Sequence, residues 1–566
     1  MSINATLNVG KSALAAQQAA LQTTGNNVAN ASNENYSRQS VVLAPSRDAQ
    51  VGAGLFIGTG IDLASIQRNV DEALNTRLRA SISYTEGADS YLQWMGRVES
   101  VFNELTDEDL SSEMSLFFNS ISELANKPQD VAMRRIVVQN GDRVAGRFRY
   151  LQTQLAGLRS DVDQQLKALT TRADSLARDL AKVNQDIMIE EGSSAGGTAN
   201  GLRDQRDGLL SGLSQIVDVR TREGDAGMIN VFIGSEPLVL GNSNRGLTLA
   251  QTQVNGKAAN TVRFAKDNGP IDARGGQLAA LTRTRDSIDA VTEQLDTLAG
   301  NLIFEFNKIH ASGQGTDNFS SVTSTTATLD SAAVLNSAQA ALAFAPTNGS
   351  FVLHVRDKVS GAESTELIQV DLDGIGADTS LDSLATAIGG VAGVSASVTG
   401  GRLTIAADSD AVDFSFSQDT SGTLAALGIN TFFTGSGASD VGVNQTIKDR
   451  PQLLNAARNG ERGDNQTAKM LAGLEELRVP ALADQTLRSA YEVMVNGVAG
   501  KTNGARTDAE AAGVVRQTLE AQRQSLSGVS LDEEAINIMR FQRAYQGAAR
   551  VISAVDEMMQ TLLQLV

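Results

Sequence analysis

The closing stretch LDEEAINIMRFQRAYQGAARVISAVDEMMQTLLQLV, residues 531–566, places apolar residues on a seven-residue ladder. Ile538, Tyr545, Ile552, Met559 and Val566 form one rung set, and Phe541, Ala548, Val555 and Leu562 form the other, three residues on. Such spacing makes one narrow seam along a helix and calls for a partner helix to cover it. Ser530 is placed to cap this helix, with Asp532, Glu533 and Glu534 in the first turn, where backbone N–H groups lack partners. Its length would be about 50 Å. At the opposite end Leu7, Leu14, Leu21 and Val28 also fall seven apart, among small and amide residues. Gly10, Lys11 and Gln17 interrupt the second rung of that seam. Seams at both ends predict that the ends meet each other, or meet copies of themselves.

Between the ends the period changes several times. The first helix is expected to give way within Thr23 to Ser40, where Gly25 and the amides Asn26, Asn27, Asn30, Asn33 and Asn35 favour caps and turns. Residues 41–63 are glycine-broken and extended, and read as short strands or loops. From Ile66 to Glu190 the pattern is helical almost throughout, with a long ladder from Leu151 to Ile187 and a break at Asn126 to Asp130 around Pro128. MINVFIGSEPLVLG and GLTLAQTQVNGKAANTVRF read as hairpins, the second turning at Asn255-Gly256. Gly275 to His310 restores a long helix. Residues 320–440 are rich in serine, threonine, glycine and aspartate, with several strand patterns, a turn at Gly400-Gly401 and one short helix in LDSLATAIGGV. Helical pattern resumes from Gln452, and a helix over Asp484 to Gln524 leads to the terminal seam.

Composition narrows the function classes. At 566 residues and 41% hydrophobic content the chain has several domains with real cores. A net charge of -18, with no concentrated basic patch, argues against a nucleic-acid surface. No apolar run approaches the ~20 residues that span a bilayer. The opening MSINATLNVG has neither a basic region nor an apolar core, so neither a Sec-type signal nor membrane insertion is expected. With no cysteine there are no disulfides, thiolate metal sites or cysteine nucleophiles.

Candidate chemistry is sparse. After Gly52 and Gly54 the third glycine of a dinucleotide loop is misplaced, and no βαβ unit surrounds them. Gly192, Ser194 and Gly196 match G-x-S-x-G by letter, but a helix rather than a strand runs in. VNGVAGKT, Val495 to Thr502, lacks the first glycine of a phosphate loop and interrupts a helical run rather than following a strand. His310 reads as a helix-end residue and His354 as a strand residue, far apart and without zinc-binding spacing. Asp371, Asp373 and Asp378 lack the alternating ligands and closing glutamate of a calcium loop and read as a solvated acidic turn. No catalytic, cofactor or metal residues are assigned.

Two stretches carry a family resemblance. LQTTGNNVANASNENYSRQ, ending in Asn35 to Gln39, resembles the N-terminal signature of bacterial flagellar axial proteins, the rod, hook and hook-associated family. GVSLDEEAINIMRFQRAYQGAARVI, Gly528 to Ile552, is similar to that family's closing signature. LRDQRDGLL (Leu202 to Leu210), GGQLAAL, GTLAALGINTFFTGSGASD and Gly463-Asp464-Asn465 resemble elements of its hook–filament junction members. In LRDQRDGLL the alternating Arg203, Asp204, Arg206 and Asp207 suit a solvated or salt-bridged face. The resemblance implies a secreted, extracellular structural subunit, exported by the flagellar type III pathway and built into the flagellum between hook and filament. It implies as partners further copies of the chain in a helical homo-oligomer, hook subunits, the third hook-associated protein and an export chaperone.

The expected architecture is multidomain and mainly α. Residues 1–40 and 528–566 form a terminal coiled coil. Residues 41–319 and 441–527 form a long-helix bundle with hairpins around 215–270, and residues 320–440 form an inserted acidic β-rich α+β domain facing solvent. The expected assembly interface is Leu7, Leu14, Leu21, Val28, Tyr36, Arg38, Ile538, Phe541, Arg543, Tyr545, Ile552, Val555, Met559 and Leu562. Taken alone, the glycine- and amide-rich N-terminal segment gains too little to offset backbone entropy, and is expected to be disordered in the free monomer. Alternatives are another axial protein, such as the third hook-associated protein or a hook subunit, and a surface adhesin or wall hydrolase on an axial scaffold. The family's third hook-associated protein is much shorter, and no carboxylate pair or histidine constellation supports a hydrolase.

Overall fold

A computed structural model describes residues 3–52, 54–102, 109–193, 197–254 and 257–564. The helices are α1 (Ile3–Ala29), α2 (Glu72–Phe102), α3 (Leu110–Asn126), α4 (Val131–Ser193), α5 (Asn200–Ile216), α6 (Gly276–Ala311), α7 (Leu381–Gly389), α8 (Thr423–Leu427), α9 (Gln445–Asp449), α10 (Gln466–Gly473), α11 (Leu487–Ser527) and α12 (Leu531–Gln564). The strands of the first half are β1 (Gln39–Pro45), β2 (Ala49–Gly52), β3 (Leu55–Ile57), β4 (Ile61–Arg68), β5 (Arg220–Glu223), β6 (Ile229–Ile233), β7 (Glu236–Leu240), β8 (Ser243–Asn244), β9 (Leu247–Val254) and β10 (Lys257–Phe264). Those of the second half are β11 (Ser321–Thr323), β12 (Gly349–Asp357), β13 (Glu363–Val370), β14 (Val394–Thr399), β15 (Arg402–Ala407), β16 (Val412–Ser417), β17 (Phe433–Thr434) and β18 (Gly442–Val443). The fold is multidomain and mainly helical, with small sheets set among long helices. Among the described residues no helix is long and apolar enough to cross a membrane.

The chain divides into two compact units: Met1–Trp94 with Asp161–Arg285 and Asn503–Val566, and Met95–Ser160 with Asp286–Thr502. These limits differ from the three-part division expected from composition. Each cut falls inside a helix, so α2, α4, α6 and α11 each contribute residues to both units, and composition does not change at such a point.

In the first unit β1 and β4 form an antiparallel ribbon with an irregularity between Val42 and Leu43, and β2 pairs with β3 beyond it. Ile66 to Arg68 belong to this ribbon and not to the helical run, because Val41 pairs with Ile66 and Gln39 with Arg68. Helices α2 and α11 meet through Leu74, Leu78, Ile82 and Leu519. The expected hairpins are present as β6–β7 and β9–β10, the first within the sheet β5-β6-β7-β8. The turn at Asn255-Gly256 lies outside the described residues, as do Ser194 and Gly196. Asn184 ties α4 to that sheet: its amide donates to Ile229 O and Gly241 O at 2.7 Å and accepts from Ile229 N at 3.1 Å. Gly276 opens α6 at φ +76°, and a Cβ there would lie 2.5 Å from Ile216 O, which excludes larger residues.

In the second unit Phe117, Phe306, Phe432 and Phe433 form a core cluster with ring centroids 4.8–5.7 Å apart. The region 320–440 carries the expected strands, in two three-stranded antiparallel sheets, β13-β12-β16 and β11-β15-β14. Ser380 caps α7 with a capping box to Ser383. His310 ends α6 fully buried; Nδ1 donates to Asn430 O at 2.9 Å and Nε2 accepts from Asn455 N at 3.0 Å. Burial and the nearby Arg134 charge push its pKa down to about 4, with the Asn430 hydrogen bond opposing. His354 lies on β12, with Nε2 2.7 Å from Ser417 Oγ. Asp371, Asp373 and Asp378 place carboxylate oxygens within 4.8 Å of one another. Asp373 and Asp378 accept from the backbone of Ile375 and Gly374, as turn-forming aspartates do. VNGVAGKT runs inside α11 without a break, correcting the expected interruption: its two glycines are tolerated within a helix that extends well beyond them on both sides.

Candidate assembly interface

Helices α1 and α12 bring the two chain ends together as an antiparallel pair. Gly10 faces Ala548 and Ile552, while Asn27 bonds to Glu534. The buried face of α1 is Gly10, Ala16, Ala20, Thr23, Thr24 and Asn27. Leu7, Leu14 and Leu21 are half-buried beside it, and Val28 is exposed. On α12, Ala548 and Val555 are buried, Ile538, Phe541, Ile552 and Met559 are half-buried, Arg543 is exposed, and Tyr545 is 39% exposed. Leu562 lies in the helix, its side chain outside the described residues. The small face of α1 lets α12 approach closely: a Cβ on Gly10 would lie 2.7 Å from Ile552 Cγ1.

α1 ends at Ala29, within the stretch expected, and the polar side chains of its last turns are satisfied inside it. Thr23 and Thr24 donate their hydroxyls to Ala19 O and Ala20 O at 2.9 Å, which satisfies them within the helix. Asn27, 1% exposed, has every polar position filled. Its amide nitrogen donates to Gln39 O at 2.9 Å and Glu534 Oε2 at 3.1 Å. Its oxygen accepts from the Tyr36 hydroxyl at 2.7 Å and Gln39 N at 3.0 Å. One side chain therefore fixes the return of the chain, the start of β1 and the start of α12.

Arg38 and Tyr36 complete this knot. Arg38 Nε donates to Glu534 Oε1 at 2.9 Å, and its terminal nitrogens reach Glu534 and Glu533 at 2.8 Å. Its backbone N–H donates to Ser527 O at 2.9 Å, and its carbonyl accepts from Asn69 N at 2.8 Å. Burial, then the Asp204 and Glu534 charges, push the Tyr36 hydroxyl up to about 12, so it stays a donor at neutral pH. Tyr36 and Arg38, expected at the assembly interface, hold the chain's own ends together.

Beneath lies an ionic cluster. Arg68 Nη1 bonds Asp204 Oδ1 at 2.9 Å and Asp207 Oδ2 at 2.8 Å. Burial works against the Arg68 charge, but Asp207 and Asp204 outweigh it and raise its pKa. Burial also raises Asp204, against the Arg68 bonds, and lowers Arg206, which donates to Gly227 O at 2.9 Å. The charged face of α5 is thus salt-bridged and largely buried, with Asp204 7% and Arg206 2% exposed, where solvation had been the other option.

Sequence reading missed Glu534 and Asn27 as partners. The signal was present for Glu534: it sits seven residues before Phe541, on the same rung as Ala548 and Val555. A charge on a buried rung requires a polar partner across the seam. The expected disorder of the N-terminal segment treated that segment as isolated, whereas α12 covers it within the same chain. Removing residues 531–566 should therefore strip hydrogen-exchange protection from residues 3–29, which the full chain protects; equal exchange in both would refute the dependence.

The chain ends match two flagellar families: "Flagella basal body rod protein" over residues 7–36 and "Flagellar basal body rod FlgEFG protein C-terminal" over residues 520–565. Residues 95–321 match "Flagellar hook-associated protein FlgK helical domain". Flagellar hook-associated protein 1 of Escherichia coli is 26% identical over 99% of this chain and 99% of its own. The Salmonella typhimurium protein is 24% identical over 99% of both, and the Bacillus subtilis protein 26% over 98% and 97%. This chain is thus similar to flagellar hook-associated protein 1 over nearly its whole length. Both terminal matches fall mainly on the helix pair, and the N-terminal one ends at Tyr36. A solved structure, the flagellar hook junction protein FlgK from Burkholderia pseudomallei, aligns at TM-score 0.49 and 16% identity, covering 80% of this chain and 100% of that one. The three family matches place the chain among flagellar axial components.

Proposed function

We propose that this chain is a non-catalytic structural subunit that joins hook to filament, assembled from further copies of itself in a helical array. The observation that carries this reading is the closed terminal pair: the ends are fastened by Asn27, Arg38 and Glu534, while α12 leaves Ile536, Met539, Val551 and Met558 exposed on its outer side. A helix with an apolar stripe on each of two sides has one partner inside the chain and needs another outside it. On this reading the expected contact residues include Leu7, Leu14, Leu21, Val28, Arg543, Tyr545, Met559 and Leu562. Hook subunits below and the third hook-associated protein above are the neighbours, after export as a secreted, extracellular protein by the flagellar type III pathway with a chaperone. Relatives matching over nearly their full length carry the hook-associated protein 1 name, which favours this over the shorter third hook-associated protein.

Ile552 tests it. Aspartate there places a carboxylate against Gly10 in the half-buried seam. Ile552→Asp should abolish incorporation into flagella and leave cells with hooks but few filaments. Labelled antibody should mark a short zone between hook and filament in the wild type. Normal filaments on the variant, or label elsewhere on the cell, would refute the reading.

A further inference from the structure

Apart from the outer stripe of α12, the described residues of the first unit expose two more apolar features. One is the tip of the β-ribbon. Phe56 on β3, opposite Gln50 on β2, is 62% exposed, and Ile57 beside it is also in solvent. Among the described residues, Phe56 is the one phenylalanine that lies mainly in solvent. Residues 49–61 contain no charge, and Asp48 and Asp62 bracket them. A two-stranded ribbon is marginal on its own, and an apolar tip on it gains from being covered.

The other is a groove of about 590 Å³ between α2 and α11, lined by Ala80, Tyr84, Val514, Val515 and Leu519, with Arg77 on its wall. Val514 is 65% exposed and Tyr84 59%. That volume lies in the range of sites that hold whole side chains or small ligands, about 300–1,000 Å³. Arg77 is the one charged residue among those that line the groove, and no acid is among them.

We propose that the ribbon tip of one copy docks in the α2–α11 groove of a second copy, Phe56 entering between Tyr84 and Val515. This rests on the junction-subunit reading above. Charge favours it: the uncharged tip meets an apolar floor, while Asp48 or Asp62 at its base meets Arg77. Topology favours a second copy, because each chain carries one tip and one groove on different elements. Such a contact is heterologous and propagates rather than closing, as an axial array requires.

The absence of cysteine from the chain makes the test clean. Two differently tagged full-length chains, one Phe56→Cys and one Val515→Cys, are expressed together, and flagella are sheared and oxidised. A disulfide joining the two tags is expected, at least tenfold above a control pairing Phe56→Cys with Val359→Cys, a residue 87% exposed elsewhere. Flagella that contain both chains without that link overturn the docking and leave the junction reading standing. If wild-type tagged chains fail to enter flagella, both fall. In parallel, Phe56→Asp should lower incorporation at least tenfold with an unchanged melting temperature, since Phe56 makes little contact within its own chain. Full incorporation of Phe56→Asp would overturn the proposal.

Discussion

Glu534→Ala is expected to unfasten the chain ends and to lower the stability of the first unit by about 2–3 kcal/mol. Glu534 is 1% exposed and accepts from both Asn27 and Arg38. Without it, an amide hydrogen of Asn27 is left buried and unpaired, and Arg38 keeps only Glu533. The adjacent Glu533 is the natural control, since its side chain is 59% exposed. Its removal should cost under about 1 kcal/mol, as exposed ion pairs do. Urea denaturation of both variants decides the matter, and equal losses would show that the buried position has no special role.

Acid is expected to weaken the second unit through His310. The folded protein holds this imidazole neutral down to about pH 4, whereas the unfolded chain protonates it near 6.5. Between these values the unfolded state binds the extra proton, so stability is full above pH 6.5 and falls as pH drops toward 4. The total is about 3 kcal/mol. The geometry explains the sign: Nε2 accepts from Asn455 N, and a proton there would replace an accepted hydrogen bond with two opposed donors. Comparing wild type and His310→Gln by urea unfolding at pH 7, 5 and 4 isolates this contribution from the carboxylates. A parallel decline in both would remove His310 as the cause.

What the sequence shows of this protein depends on who faces whom. The α12 seam was readable because a seven-residue ladder of large apolar residues fixes its own inner face, and Val555 and Ala548 lie on that face. The inner face of α1 was not, because its contact is made by Gly10, Ala16 and Ala20, whose value lies in their small size rather than their hydrophobicity. Large leucines seven apart suggested the wrong centre line for that helix. The strands of 320–440 showed in their alternation, as on β12, where Phe351, Leu353 and Val355 turn inward. The buried charges of α5 did not, since Arg206 and Asp204 look like any exposed pair until Arg68 arrives from a strand far away in sequence.

The bond between Asn27 and Glu534 joins residues 507 positions apart. During synthesis at about 5–20 residues per second, the first helix therefore leaves the ribosome roughly 25–100 s before its mate exists. Throughout translation the nascent chain carries an uncovered leading end, available to whatever machinery handles unfinished polypeptides. Closure is the final act of its making.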